Sequence, residues 1–298
     1  MNLNIINSRK IWFSISGTLM TLSILALLVW GLKPGIDFTG GSLLEISYET
    51  NRPAMTEVAD NLANLNLKSL KVQAAGDNNL LLRFENVDEN THQQILAQLK
   101  NQANNSGLVE EQKFESIGPT VGLELKNKAV VAIILVLICI LAYIAYVFRQ
   151  VSRPVASWKY GLAAIAALFH DILIITGIFS ALGFFLGIEI DTLFVTALLT
   201  ILGFSVHDTI VTFDRIRENL FKIHNQSFIE IVNRSVNETV IRSINTSLTA
   251  ILVLLAVYIF GGESIRYFVL ALILGFIVGT YSSIFIASPL LVWWNKNK

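Results

Sequence analysis

Six predominantly apolar runs, each long enough to cross a bilayer, constrain this chain more than any other feature. A spanning helix needs roughly 20 such residues at 1.5 Å rise. The runs are Ile11 to Leu32, Ala129 to Phe148, Tyr160 to Leu182, Ile190 to Phe213, Ile244 to Phe260 and Ile265 to Trp293. In hydrocarbon every backbone N–H and C=O must be bonded within the chain, so runs of this length read as helices. The expected class is an α-helical polytopic membrane protein. The composition agrees, with 53% hydrophobic and only 15% charged residues. The first run follows Arg9 and Lys10 but is too long for a signal-peptide h-region and lacks a small-residue cleavage site, so it reads as an uncleaved anchor.

Net charge is zero, with 22 basic and 22 acidic residues, and points to neither a nucleic-acid partner nor an acidic substrate. Their distribution is more informative, because basic residues mark cytoplasmic connections. With the N-terminus inside, that side holds Arg9, Lys10, Arg149, Arg153, Lys159, Arg215, Arg217, Lys222, Arg234, Arg242, Lys296 and Lys298, against Arg266 alone in the short outer connections. Both termini are expected inside. Three regions follow: residues 1–32 with the first span, an outer segment 33–128, and residues 129–298 with spans two to six.

The outer segment carries 9 basic and 13 acidic residues and has the patterns of a folded domain. "GSLLEISYE" alternates as a strand, and "AMTEVADNLANL" has helical spacing. "SLKVQAA" and "NLLLRFE" flank the turn signal "GDN". "VDENTHQQILAQLKNQ" is an amphipathic helix, and "LVEEQKFESI" supplies a last strand. The order β-α-β-β-α-β predicts a ferredoxin-like α+β domain.

Buried chemistry is signalled by "FSVHDTIVTFDRIREN" in the fourth span. Counting back from Arg215, Asp208 lies about 10 Å into the membrane, where a carboxylate is costly unless it faces partners. On a helical wheel Ser205, Asp208, Thr212 and Arg215 share an arc of about 80°. The fifth span offers Arg242, Asn245, Thr246 and Thr249 on one face, so an Asp208 to Arg242 pair is geometrically open. The third span adds the adjacent His170 and Asp171. Such a carboxylate can load and unload a proton as desolvation and an approaching cation alternately favour its neutral and charged forms. A fixed staple between helices is the alternative, and an ionisable residue inside a membrane favours function. For His170 and Asp171 both roles stay open.

In the sixth span Ala271, Gly275, Gly279, Ser283 and Ala287 recur every four residues, a surface for close helix approach. Beyond the fourth span, "FDRIRENLFKI" reads as a basic amphipathic segment leaving the membrane, with Asp214, Arg215, Arg217 and Glu218 spaced to pair. No metalloprotease, P-loop or nucleophile-elbow motif occurs. The sole cysteine, Cys139, permits no internal disulfide and suggests no metal cluster. The chain is therefore not expected to be an enzyme or to hold a cofactor.

Several of these stretches together resemble the SecF branch of the SecD/SecF family of protein export: "GIDFTGGSLLEI", "SIGPTVGLEL", the "HD" of the third span, "SVHDTIVTFDRIREN" and "NETVIRSINTSLTA". The resemblance implies a half-transporter of the resistance-nodulation-division superfamily, paired with SecD. It implies association with the SecYEG channel, with YajC and YidC as further partners, and action on a translocating polypeptide. It also implies residence in the bacterial cytoplasmic membrane, with the proton gradient as energy source. Asp208 and Arg242 match the positions that the family uses in proton transport; His207 receives no such role. Gly35, Gly40 and Gly41 suit a tight turn with positive φ, and Asp37 reads as a turn-capping side chain, a partner contact being the alternative. Against export stand two readings, a scaffold subunit that conducts no protons and an exporter of lipids or drugs.

Overall fold

The structure is a computed structural model that describes residues 4–49, 52–76, 78–102, 109–148, 155–223 and 225–296. Arg149, Arg153 and Lys298 of the charge reading, and Asp77 of the hairpin signal, lie outside them. The chain divides into two compact units, Met1–Lys33 with Val131–Lys298, and Pro34–Val130.

In the second unit the elements are α2 (Ile36–Thr39), β1 (Gly41–Tyr48), α3 (Met55–Leu62), β2 (Lys71–Ala75), β3 (Asn79–Phe84), α4 (Glu89–Gln102) and β4 (Val109–Ile117). The strands pair antiparallel in the order β2-β3-β1-β4. Period-two alternation puts Leu44, Ile46 and Tyr48 of β1 and Leu80, Leu82 and Phe84 of β3 on the buried face. There they join Val58 and Leu62 of α3 and Ile95, Leu96 and Leu99 of α4 in one core. This is the expected ferredoxin-like arrangement.

The glycine-rich entry to β1 behaves in part as expected. Gly40 and Gly41 have φ of 74° and 130°, whereas Gly35 has φ −78°, because it precedes α2 in extended backbone and needs no left-handed turn. Space is the second demand on Gly40, since a Cβ there would stand 2.7 Å from Pro119 Cα. Gly122 answers it, with a Cβ there reaching 2.8 Å from the Gly40 nitrogen. Asp37 lies in the first turn of α2.

The membrane unit is built from α1 (Arg9–Val29), the part of α5 (Pro119–Val147) from Val131 onward, α6 (Ser157–Leu186), α7 (Thr192–Lys222), α8 (Phe228–Phe260) and α9 (Glu263–Ser282). A π-turn (Ser283–Ala287) joins α9 to α10 (Ser288–Lys296). Among the described residues six helices are long and apolar enough to span, the last formed by α9 through α10. The apolar windows of α6, α7 and α9 are 56%, 44% and 67% buried, against 11% for α1, 6% for α5 and 11% for α8. The first three helices are thus the core, and the others present apolar faces outward.

Local signals explain several boundaries. Pro119 suits the first position of α5, where its missing N–H costs nothing. Asp191 caps α7 by accepting from Phe194 N at 2.8 Å. Ser227 and Glu230 form a capping box at the start of α8. Gly187, at φ 71°, ends α6 in a left-handed turn.

Two sequence expectations are corrected. The fourth span does not stop at Phe213, because α7 continues to Lys222, and α8 begins 16 residues before Ile244. "FDRIRENLFKI" is therefore not a separate surface segment. Its Ile216 and Asn219 are buried with Val232, Ser235 and Val236 of α8, so the two helices extend as a packed hairpin beyond the apolar runs.

Candidate functional site

The buried polar residues of α6 to α9 lie along one seam in several hydrogen-bonded clusters. On α6, His170 Nδ1 lies 2.9 Å from Asp171 Oδ1, both residues being buried. The second oxygen of Asp171 accepts from Ser205 Oγ of α7 at 2.6 Å and from Ser282 Oγ of α9 at 2.8 Å. Three helices therefore meet on one carboxylate. Such a group needs its partners, because an unpaired charge out of water costs several kcal/mol.

One turn further along α7, Asp208 is 4% exposed. Its Oδ1 accepts from Ser243 Oγ of α8 at 3.1 Å, while its Oδ2 meets no donor among the described residues. Thr212, one more turn along, lies 3.4 Å from Thr239. On α8, Ser247 donates to the Ser243 carbonyl at 2.8 Å and bonds Thr280 of α9. Thr209 and Ser283 bond at 2.9 Å where α7 meets the π-turn. The turn's wider loop is closed by Ser288 Oγ donating to the Ser283 carbonyl, five residues back, at 3.2 Å. Tyr281 bonds Ser16 of α1 at 3.1 Å and stacks on His170 at 6.1 Å.

Small residues make the seam close enough for short side chains to bond. A Cβ at Gly279 would stand 3.0 Å from the Ser205 Cβ, and one at Gly275 would overlap Ile201. That contact is the one the four-residue period of the sixth span predicts. It also sets the Ser282 hydroxyl on Asp171.

The expected α7 stripe is found, with Ser205, Asp208 and Thr212 buried and Arg215 half-buried at its end. The expected α8 stripe is not its partner. Arg242, Asn245, Thr246 and Thr249 are exposed, and no Arg242 to Asp208 ion pair forms among the described residues. The inward face of α8 is instead Ser235, Thr239, Ser243 and Ser247, all buried and spaced by four. Both stripes are polar and helical in period, so the wheel could not choose between them. The serines were the overlooked signal, since small hydroxyl residues permit the close approach that arginine forbids. Ser282 and Thr280 escape the sequence reading for the same reason, and Ser283, expected only as a small packing residue, also bonds Thr209.

At the far end of the hairpin, Glu238 accepts from Arg215 Nε at 2.6 Å and from Asn219 Nδ2 and Arg234 Nε, both at 2.9 Å. Arg215 also pairs with Glu218, and Arg217 with Asp214, at the expected three-residue spacing. The bonds from Arg215 and Asn219 to Glu238 tie α7 to α8, while the other pairs lie within one helix.

A multi-pass bundle with a ferredoxin-like insert after its first helix and carboxylates buried at its centre defines a class of membrane transport machinery. Comparison with known proteins places the chain within it. The family profile described as protein export membrane protein SecD/SecF, C-terminal, matches residues 96–297, and the SecD/SecF GG motif matches residues 26–51. The chain belongs to the SecD/SecF family of protein-export membrane proteins. Protein translocase subunit SecF of Thermobaculum terrenum is 44% identical over 99% of this chain and 94% of that relative. Its counterpart in Anaerolinea thermophila is 37% identical over 99% and 95%. Among solved structures, SecDF from Thermus thermophilus, described as a translocon-associated membrane protein, superposes on all of this chain with TM-score 0.85 and 31% identity. This chain spans 39% of that longer one.

Proposed function

We propose that this chain acts as the SecF subunit of a SecDF pair in the bacterial cytoplasmic membrane, with both termini inside. In this reading it helps the SecYEG channel, with YajC and YidC nearby, to move polypeptide outward, drawing on the proton motive force. The observation that carries the reading is Asp208, a buried carboxylate in a span that has, among the described residues, one hydroxyl donor and one unbonded oxygen. A fully bonded carboxylate resists protonation, whereas this one has a free position for a proton. The Asp171 cluster has the opposite character. Both of its oxygens are bonded, and it works as a staple between α6, α7 and α9.

The exposed stripe on α8 supports a partner. Arg242, Asn245, Thr246 and Thr249 facing lipid would be costly, so this face is where SecD packs. Arg242 then approaches Asp208 only within the assembled pair or during its cycle, and that approach is the step that releases the proton. No cofactor takes part.

The test is pulse-chase export of a secreted precursor in cells depleted of the native protein, comparing wild type with Asp208→Asn at matched membrane abundance. Collapse of export by a variant that still assembles with SecD is expected. Normal export would leave Asp208 as a replaceable polar contact in a scaffold.

A further inference from the structure

One turn of the last span is fastened on every side. Thr280 to Ser283 are four successive residues at the junction of α9 and the π-turn, and each bonds a different helix. Thr280 pairs with Ser247 of α8, the Tyr281 hydroxyl lies 3.1 Å from Ser16 Oγ of α1, Ser282 Oγ donates to Asp171 of α6 at 2.8 Å, and Ser283 Oγ lies 2.9 Å from Thr209 Oγ1 of α7. At 100° per residue the four side chains encircle the helix. Thr280, Ser282 and Ser283 are buried.

Three of these bonds are easily exchanged. Thr280 Oγ1 also reaches the Phe276 carbonyl of its own helix at 2.8 Å, and Ser282 Oγ and Ser283 Oγ reach the Gly279 carbonyl at 3.1 Å and 3.0 Å. A hydroxyl carries a single hydrogen, so each of the three chooses between a neighbour and its own backbone. Releasing the neighbour strands no donor in the bilayer, and a stranded donor is the main cost of breaking such a bond. The partners are covered likewise. Ser247 has the Ser243 carbonyl at 2.8 Å, Thr209 has the Ser205 carbonyl at 3.1 Å, and Asp171 keeps His170 and Ser205. Tyr281 differs, because its second acceptor, the Trp12 carbonyl at 3.3 Å, is again on α1. The bond to α1 is the fixed one.

The backbone supplies matching freedom. The π-turn Ser283–Ala287 begins at the last of the four residues. It holds one residue more than an α-turn, and that slack lets the preceding helix rotate. The Ser283 carbonyl keeps a side-chain donor throughout, Ser288 Oγ at 3.2 Å. A rotation of about 30° carries a hydroxyl roughly 4 Å from the helix axis through about 2 Å, which is beyond hydrogen-bond reach. Because the helix moves as a rod, its bonds to α8, α6 and α7 break in one movement.

We propose that Thr280, Ser282 and Ser283 are positioning residues on a swivel: α9 turns at the π-turn with Tyr281 held to α1, and the three hydroxyls leave α8, α6 and α7 together. The consequence for the site lies on α8. Ser247, which Thr280 holds, sits one turn from Ser243, the donor to Asp208. The swivel therefore sets whether α8 stands close enough for that donor to engage, and it passes a change at Asp208 to α6. This role rests on the reading of Asp208 as the working carboxylate, whereas the swivel itself does not.

The experiment locks the swivel at one bond and reads it at the others. Ser247→Cys and Thr280→Cys are introduced together with Cys139→Ser, which removes the sole native thiol. Hydrogen–deuterium exchange is followed on the full chain in lipid nanodiscs with the pair reduced and with it oxidised. Oxidation should slow exchange about fivefold or more in peptides covering residues 282–288 and 168–174, which the cross-link does not touch. Peptides of the outer domain should not change. Slowing confined to the cross-linked turns would overturn the proposal, as would failure of the two cysteines to join. Pulse-chase export is the second readout, expected to stop on oxidation and to return on reduction. An oxidised pair that exports at the reduced rate would also overturn the swivel. The exchange measurement decides the swivel even where Asp208 proves to be a static contact.

Discussion

Asp208 accepts a hydrogen bond from Ser243, whereas Arg242, the preceding residue of α8, stands on that helix's exposed side. One residue is 100° of helix rotation, enough to separate a group that holds the carboxylate from one that waits outside the bundle. The two should therefore fail differently when removed.

Ser243→Ala deprives Asp208 of its one donor among the described residues. A hydrogen bond to a charged group is worth about 1.5–3 kcal/mol, and the variant should slow export at least about fivefold at equal abundance. Arg242→Ala should leave thermal unfolding of the isolated chain within about 0.5 kcal/mol of wild type, as befits an exposed site. Its effect should appear in co-purification with SecD or in export. A large loss of stability in the isolated chain would contradict the placement of Arg242.

Glycine positions on the helices separate close contact from open space. Gly279→Val must displace α9 from Ser205 and should cost about 1–3 kcal/mol by overpacking. Gly203 has nothing within 4 Å of where a Cβ would stand, so Gly203→Ala should be neutral or stabilise by up to about 1 kcal/mol through helix propensity. Thermal unfolding in detergent, read by size exclusion, distinguishes them.

Glu238 of α8 accepts three donors, Arg215 and Asn219 from α7 and Arg234 from its own helix. Glu238→Ala should destabilise the hairpin by about 1–2 kcal/mol, the lower part of the range for charged hydrogen bonds because the site is partly exposed. Faster proteolysis between residues 214 and 238, with the apolar spans intact, is the expected readout.

Tyr48 ends β1 with its hydroxyl buried and without a partner among the described residues, and burial pushes its pKa up to about 12. The folded form therefore holds the proton more tightly than the unfolded chain, whose value is about 10. The associated stability is complete below pH 10 and lost as pH rises toward 12, by roughly 2–3 kcal/mol. Tyr48→Phe should remove that alkaline loss. It should also stabilise the protein at neutral pH by about 1 kcal/mol, since a buried unsatisfied hydroxyl disappears. Unfolding midpoints of the full chain between pH 8 and 12 test both expectations.

Much of this architecture is legible in the linear chain because its signals are local. Hydrophobic length marks the spans, and alternation in "GSLLEISYE" and "NLLLRFE" marks paired strands with one buried face. Gly275 and Gly279 announce their contact through a four-residue period. The continuation of α7 to Lys222 was hidden, because charge there suggested departure from the membrane while the helical phase carried on. Also hidden was the bulge at Gln112, where β4 slips by one residue against β1. A one-residue register shift is decided by what lies across the sheet, and "LVEEQKFESI" read alone shows only a strand.

By itself the sequence determined the six spans, the ferredoxin-like insert, the buried carboxylates of α6 and α7 and membership in an export family, because each is written in the order and period of neighbouring residues. Only the tertiary structure decided which stripe of α8 faces Asp208, which serines hold Asp171, and where β4 slips against β1. Those choices depend on helix rotation and strand register, and packing against distant parts of the chain sets both.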